Sequence, residues 1–237
     1  MANPIAPNHT LGPFPEDLRR CIGTLDEGIV ISFMVLDGAF PSFIGEFSEL
    51  RILMFKYNML SGMLDGDIFR NITHLEVLDI SNNRLTGDVP IFHSDNFKLR
   101  IISLQMNFFS RVLSNAFSSV PAGSVNNSFV NLAYQQSTIG LLLMTGSFVG
   151  IEDGSKLNLK GNFVHGIPSH LFGNPSSLRE GYLDFSDIGI WYINDNGITI
   201  SNRSNLGLTP SGSRGHEVFD SVFVDLRGNY IAKMTAE

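Results

Sequence analysis

Apolar residues recur along this chain at a fixed spacing that is longer than one strand or one helical turn. From Leu75 to Pro90 the sequence LEVLDISNNRLTGDVP fits the pattern LxxLxLxxNxLxGxxP. The same positions are filled 25 residues earlier, from Leu50, and 24 residues later, from Leu99. Repeats of this length indicate a solenoid, because a single unit cannot bury its apolar face without its neighbours.

Weaker copies of the pattern lie on both sides of these three units. IVISFMVLDGAFP precedes them, with Met34 in the place of Asn, and NHTLGPFPEDLRRC fits the tail of a further unit, so the chain begins in mid-repeat. KLNLKGNFVHGIP follows as a nearly full unit, whereas YLDFSDIGI and FVDLRGNYI fit in part. We therefore expect the repeat to extend along most of the chain.

Each unit predicts one short strand and one turn. Alternate side chains of LxxLxL point inward, so successive units should stack their strands into a parallel sheet. The Asn after each strand has amide donors and an acceptor suited to buried backbone groups of its own and adjacent turns, which predicts a structural role. These residues are Asn58, Asn83, Asn107, Asn162 and Asn229. Gly62, Gly87 and Gly166 are expected where the chain turns onto the convex side.

Two segments interrupt the period. Residues 119–155 contain a decayed unit, with Val130 and Leu132, or a non-repeat island. Residues 191–220 contain Asn196 and Gly197 between apolar runs, which predicts a hairpin followed by a loop. The resulting division is a partial repeat at 1–24, regular repeats at 25–118, the first interruption at 119–155, repeats at 156–190, the second interruption at 191–220 and a partial repeat at 221–237.

This pattern resembles that of the leucine-rich repeat family, and LTGDVP, HGIP and DGAFP resemble the LxGxIP segment of its plant-type subclass. The unit that begins at Leu50 is similar to units of plant receptor-like kinases and receptor-like proteins. The resemblance implies an α/β-type solenoid, a horseshoe with a short parallel β-sheet on the concave face and mostly irregular or 3-10 convex segments. It further implies that an interruption is either a ligand-binding island or a degenerate repeat.

The composition argues against several classes of function but says less about the fold. The 237 residues are 43% hydrophobic, enough for a substantial core, and the net charge of −7 with scattered Lys and Arg argues against nucleic acid as a partner. Cys21 is the only cysteine, so an internal disulfide is excluded. No nucleophile, phosphate-loop or zinc motif is present, and the spacing of His165 and His170 does not fit a helical metal pair. We expect no enzyme activity, no cofactor and no metal.

In a solenoid of this kind the side chains between the core positions of each strand face solvent on the concave side. We therefore predict ligand binding there. The candidate residues are Phe33, Met54, Lys56, Tyr57, Asp79, Ser81, Asn82, Gln105, Met106 and Lys160. The apolar ones among them either anchor a partner or pack on adjacent units.

The resemblance implies a non-catalytic, receptor-like extracellular module that binds a protein or peptide ligand, or a co-receptor. Glycosylation sequons at Asn8, Asn71, Asn126 and Asn202 agree with a secretory route. No signal peptide is visible, and the longest apolar run, residues 139–151, is short and glycine-containing for a membrane span. The alternatives are an intracellular scaffold or inhibitor on the same fold, in the cytoplasm, and a nonfunctional truncated receptor fragment.

Overall fold

The computed structural model describes residues 12–25, 27–92, 98–118, 129–151, 155–164, 168, 171–172, 181–186 and 222–225. The strands in these residues are β1 (Gly12–Pro13), β2 (Gly28–Val30), β3 (Leu36–Ala39), β4 (Ile52–Met54), β5 (Met59–Met63), β6 (Val77–Asp79), β7 (Arg84–Asp88), β8 (Ile101–Ser103), β9 (Phe108–Val112), β10 (Phe129–Asn131), β11 (Leu142–Leu143), β12 (Ser155–Asn158), β13 (Gly181–Asp184) and β14 (Val222–Asp225). The helical segments in the same residues are three 3-10 helices, Glu16–Cys21, Ser42–Glu46 and Gly66–Phe69.

The predicted concave sheet is confirmed. Its eight strands are parallel and adjacent in the order β2, β4, β6, β8, β10, β12, β13, β14. The register pairs Leu53 with Leu78 and Leu78 with Ile102, so the second leucine position of each unit stacks on that of the next. These side chains are buried. Strand β10 lies in register between β8 and β12, so the concave sheet runs on through residues 129–131.

A second parallel sheet, which the sequence did not predict, follows the Asn of each unit. Its six strands lie in the order β1, β3, β5, β7, β9, β11, where mostly irregular convex chain was expected. Each strand carries few buried side chains, such as Leu60 in β5 and Leu85 in β7, so no run of alternating apolar residues marks it. Gly62 and Gly87 lie inside these strands, at φ 81° and 84°, rather than at a separate turn. Gly166 lies outside the described residues.

The turns repeat the same geometry because a column of buried amides holds their backbone groups. Asn83 Nδ2 donates to the carbonyls of Phe55 and Ile80, at 2.9 and 3.0 Å, and its Oδ1 accepts from the Leu60 N–H at 3.1 Å. Each amide thereby joins its own unit to the preceding one. Asn58, Asn107 and Asn162 bond in the same way. The structural role predicted for these residues is confirmed, and Asn229 lies outside the described residues.

Phenylalanine rings form the outer layer of the core. From Phe69 to Phe92 and from Phe92 to Phe117 the ring centroids are 5.9 and 5.8 Å apart. The row continues at both ends with similar spacing, and all its members are buried. Its members are Phe40, Phe69, Phe92, Phe117, Phe148 and Phe172. We call this row the phenylalanine spine, and it runs through the buried core from one unit to the next.

Candidate ligand-binding surface

The concave strands end at a column of residues in the left-handed backbone region. Immediately before the amide position of each unit, the chain adopts φ near 55° to bend away from the concave sheet. Phe33 has φ 61°, Tyr57 56°, Asn82 55°, Met106 52° and Tyr134 54°. Asparagine tolerates this region well, whereas large side chains do so at a cost.

Four of these five residues are large, apolar and exposed. Phe33 is 66% exposed, Tyr57 47%, Met106 39% and Tyr134 41%. We call these four the apolar ledge, which runs along the edge of the concave sheet where the strands end. Sequence reasoning identified three of them, and it left open whether they packed on neighbouring units. Their exposure shows that much of each side chain faces solvent.

Contacts along the ledge hold its aromatic rings in fixed positions. The Phe33 and Tyr57 rings stack with their centroids 4.4 Å apart and their planes 12° apart. Val30, on the strand that leads to Phe33, is 63% exposed and extends the apolar surface toward the sheet. Farther along, the Tyr134 ring lies against the backbone of Gly161, where a Cβ atom would collide with the ring. The glycine therefore makes room for the tyrosine.

The predicted site residue Ser81 does not face solvent. It is only 2% exposed, and its Oγ donates to Asp79 Oδ1 at 2.6 Å while its backbone N–H donates to the same oxygen at 3.1 Å. Asp184 and Ser186 repeat these two bonds on β13. A serine at this position is short enough to fold back onto the carboxylate, so it completes the turn instead of forming a ligand contact.

The other predicted residues lie on the concave face and are half-buried. Met54 and Asp79 share one row of the sheet register. Lys56, Gln105 and Lys160 lie two residues beyond that row, just past the ends of β4, β8 and β12. Gln105 Oε1 accepts from Asn131 Nδ2 at 2.7 Å, which ties two neighbouring units together. Asn82 is half-buried beside the ledge.

A hollow of about 340 Å³ opens on the same sheet, on the strands that follow β8. Its lining residues are Phe129, Lys156, Leu157, Asn158, Tyr182 and Asp184. The register places Lys156 directly between Phe129 and Tyr182, and Asn158 directly beside Asp184. Two aromatic rings thus flank one lysine on adjacent strands.

Sequence reasoning missed both the hollow and Tyr134 because the amide signal fails in that stretch. Gln135 stands where Asn is expected, yet its Oε1 accepts from the Phe109 N–H at 3.1 Å and its Nε2 donates to the Leu104 carbonyl at 2.9 Å. Its longer side chain reaches the same backbone groups. Reading Gln as equivalent to Asn would have placed VNLAYQ in register and identified Tyr134 as a ledge residue.

Charged residues also pair along the rim where the concave strands begin. Glu76, just before β6, accepts from Arg51 Nε at 2.8 Å on one side, and Arg100 lies 3.3 Å away on the other. The Arg51 hydrogen bond, aided by the positive charge of both arginines, holds the pKa of Glu76 below its usual range. The Glu76 carboxylate is therefore already paired with Arg51 and Arg100.

Metal ligands, membrane spans and glycosylation sequons concern other parts of the chain. Within those residues, no three His, Cys, Asp or Glu side chains lie together as metal ligands would. No helix among them is both long and apolar enough to cross a membrane. Asn71 is exposed between the 3-10 helix Gly66–Phe69 and β6. Asn8, Asn126 and Asn202, the histidines His165 and His170, and the predicted hairpin lie outside the described residues.

Comparison with known proteins agrees with the two-sheet solenoid. Residues 74–94 match the family model for the Leucine Rich Repeat. Receptor-like protein 34 of Arabidopsis thaliana is 29% identical over 128 residues, which are 54% of this chain. Residues 74–94 thus form a leucine-rich repeat, and the chain resembles plant leucine-rich repeat proteins. Its repeats and its fold resemble the ectodomains of plant receptors.

Two solved structures resemble this chain in fold. One is the ectodomain of the membrane receptor kinase GASSHO1/SCHENGEN3 from Arabidopsis thaliana, in complex with CASPARIAN STRIP INTEGRITY FACTOR 2, with a TM-score of 0.59 and 18% identity over 92% of this chain. The other is a plant ice-binding protein, with a TM-score of 0.57 and 24% identity over 77% of this chain. The chain covers 13% of Receptor-like protein 34, 23% of the receptor kinase chain and 55% of the ice-binding protein.

Proposed function

We propose that this leucine-rich repeat protein is a non-catalytic recognition module whose concave face binds a peptide or another protein. The apolar ledge is the observation that carries the proposal. Phe33, Tyr57, Met106 and Tyr134 expose large side chains at one repeated position, at which Asn82 shows that a small polar residue also fits. Rigid aromatic anchors of this kind contribute a large part of the binding energy at protein interfaces.

The backbone geometry strengthens this argument. A bulky side chain in the left-handed region costs roughly 1 kcal/mol relative to Gly or Asn, and this ledge repeats that cost in four units. Folding gains little in return from side chains that are 39–66% exposed. A surface function explains why such residues stand there. The apolar side chains of a ligand could cover the ledge, while Lys56 and Gln105 on the adjacent row offer polar contacts.

The nature of the ligand is suggested by what related folds bind. The receptor kinase ectodomain described above was solved in complex with CASPARIAN STRIP INTEGRITY FACTOR 2. That finding belongs to that protein, and we propose a peptide or another protein as the first ligand class to test here. A co-receptor on the same face is the related possibility within this proposal.

The experiment that tests the proposal is a selection of random displayed dodecapeptides on the immobilised full-length chain. Selected peptides should lose at least about tenfold in affinity for a Phe33→Ser, Tyr57→Ser double variant, the loss typical of interface anchors. Met63→Ser is the matched control, because Met63 is 79% exposed on the second sheet, in β5. Thermal unfolding of each variant checks its folding. Peptides that bind both variants like the wild type, or no selected peptides, would contradict the proposal.

We further propose that the protein works outside the cell. The receptor-like relatives support this compartment, and the exposed Asn71 offers an accessible glycosylation site. Expression through a plant secretory pathway should give a mass shift that glycosidase removes and that Asn71→Gln reduces. Secretion without glycan at Asn71 would remove this support, and retention in the cytoplasm would favour the intracellular scaffold.

A further inference from the structure

We infer that the hollow between Phe129 and Tyr182 is a second subsite of the concave face, which accepts a carboxylate of a bound peptide beside an apolar side chain. This inference rests on the proposed function and names the ligand chemistry that the surface favours. Nothing in the apolar ledge requires a charge in the ligand, so the two sites can be tested separately.

The donors of the hollow match a carboxylate. Lys156 is exposed, and within the described part of the chain no ion pair neutralises its ammonium group. Asn158, two residues along the same strand, points to the same side of the sheet. Its Oδ1 accepts from the Lys160 N–H at 2.9 Å, and no described residue accepts from its Nδ2. One cation and one amide donor therefore line the same hollow.

The acidic residue beside these donors is already engaged. Asp184 Oδ1 accepts from both the backbone N–H and the Oγ of Ser186, at 3.1 and 2.6 Å. The same arrangement at Asp79 and Ser81 shows that this pairing belongs to the turn of the repeat. Asp184 thus completes its turn with Ser186, and among the described residues it forms no ion pair with Lys156.

The walls of the hollow favour an apolar group next to the carboxylate. Phe129 and Tyr182 lie on the strands on either side of Lys156, roughly 10 Å apart for two strand spacings. The volume of about 340 Å³ is enough for one or two side chains. Both rings offer apolar surface next to the lysine, so a ligand can place an apolar group against a ring while its carboxylate meets the ammonium group.

Because the protein is negatively charged overall, a preference for peptides with a carboxylate would indicate a local cation. The chain carries a formal net charge of −7, so its long-range field disfavours acidic peptides. A preference for peptides that carry a carboxylate must then arise from a local cation. The carboxylate can come from an Asp or Glu side chain or from the C-terminus of the peptide, and the test separates these two sources.

The test uses three labelled pools of random hexapeptides with the full-length protein. The first contains Asp and Glu and has amidated C-termini, the second replaces them by Asn and Gln, and the third is the second with free C-termini. Wild-type protein should bind the first or the third pool about tenfold more tightly than the second, as expected for one charge-assisted contact. The pool that gains identifies the source of the carboxylate.

Variants of Lys156 connect the preference to the hollow. Lys156→Met should abolish it, whereas Lys156→Arg should retain it because the positive charge remains. Arg84→Met is the matched control, since Arg84 is an exposed cation on the second sheet, in β7, and does not line the hollow. Thermal unfolding confirms that each variant is folded.

The outcomes distinguish the two proposals. If the preference persists in Lys156→Met, or if the wild type binds all pools equally while the Phe33→Ser, Tyr57→Ser variant still weakens binding, the carboxylate subsite is overturned and the proposed function stands. If no pool binds the wild type, both are overturned.

Discussion

At the scale of single residues, two neighbouring positions of each unit differ in role: one is buried in the turn and the other lies beside the surface. Asn83 is buried and satisfies three backbone groups, whereas the residue before it, Asn82, lies at φ 55° beside the surface. The first position determines whether the turn forms. The second lies at the surface and is the position that we propose faces a ligand, so the conspicuous residue of the repeat is the structural one.

Replacing Asn83 by Ala should therefore destabilise the fold strongly. The substitution leaves the Leu60 N–H and the carbonyls of Phe55 and Ile80 without their side-chain partner. Leaving buried groups unsatisfied should cost about 3 kcal/mol in the free energy of unfolding, measured in urea. Arg84→Ala is the matched control, because the Arg84 side chain is exposed on β7, and it should change the free energy of unfolding by less than about 0.5 kcal/mol. Equal effects of the two substitutions would show that the amide is not structural.

At the ledge position, a substitution is expected to raise the free energy of unfolding rather than lower it. Met106→Asn places at φ 52° the residue type that the preceding unit carries as Asn82. Relief of backbone strain should raise the free energy of unfolding by about 0.5 kcal/mol while peptide affinity falls. Urea denaturation and peptide binding measure the two quantities on one sample. A less stable Met106→Asn variant with unchanged affinity would show that Met106 serves packing.

At the scale of elements, the phenylalanine spine and the rim pairs join each repeat to the next. The spine lies in the buried core, and the rim lies at the surface, just before the concave strands. The Arg111 guanidinium on β9 also pairs with Asp88 on β7, through Nε at 2.6 Å. The units are therefore joined on both sheets as well as through the core.

Phe92→Ala tests the spine at its middle. Phe92 is fully buried between Phe69 and Phe117, so its removal leaves a cavity that both neighbouring rings line. The expected cost is about 4 kcal/mol in the free energy of unfolding, by urea denaturation. Phe163→Ala serves as the control because Phe163 is 51% exposed, and it should cost far less. Equal costs would contradict the assignment of Phe92 to a continuous core.

The rim predicts a pH dependence. Because Arg51 and Arg100 lower the pKa of Glu76 in the folded state, the stability that they provide is present above the unfolded pKa of about 4.5 and is lost as pH falls through the folded value. Glu76→Gln should therefore cost up to about 1 kcal/mol at pH 7, and its difference from wild type should shrink below pH 4.5. An Arg51→Met, Glu76→Gln double-mutant cycle should show the same trend in its coupling energy. A difference independent of pH would contradict the pairing.

At the scale of the whole molecule, the sequence predicted the stacking of units but not all of its surfaces. The concave sheet and the Asn column were predictable because the leucines from Leu50, Leu75 and Leu99 repeat almost in phase. The phenylalanine spine was not recognised. Phe69, Phe92 and Phe117 follow one another after 23 and 25 residues, but the steps from Phe40 to Phe69 and from Phe117 to Phe148 are 29 and 31 residues, so the row keeps no fixed period. The second sheet and the hollow were also hidden, because pairing between distant strands leaves little trace in their local pattern.

The same limits apply to the candidate site. Phe33, Tyr57 and Met106 were found from their place in the repeat, but only their backbone angles and exposure separate them from core residues. Ser81 was assigned to the surface because the pattern cannot show that its hydroxyl folds back onto Asp79. Lys156 could not be identified as a site residue from its own strand, because the rings that flank it, Phe129 and Tyr182, lie on the two neighbouring strands.

Hydrogen–deuterium exchange of the full-length chain, with and without a selected peptide, tests the central claim that the concave face is the recognition surface. Bound peptide should slow exchange at residues 54–57 and 103–106, where the concave strands meet the ledge. Exchange at residues 59–63 and 84–88, on the second sheet, should stay unchanged. Protection confined to the second sheet, with no change at the ledge, would contradict the account.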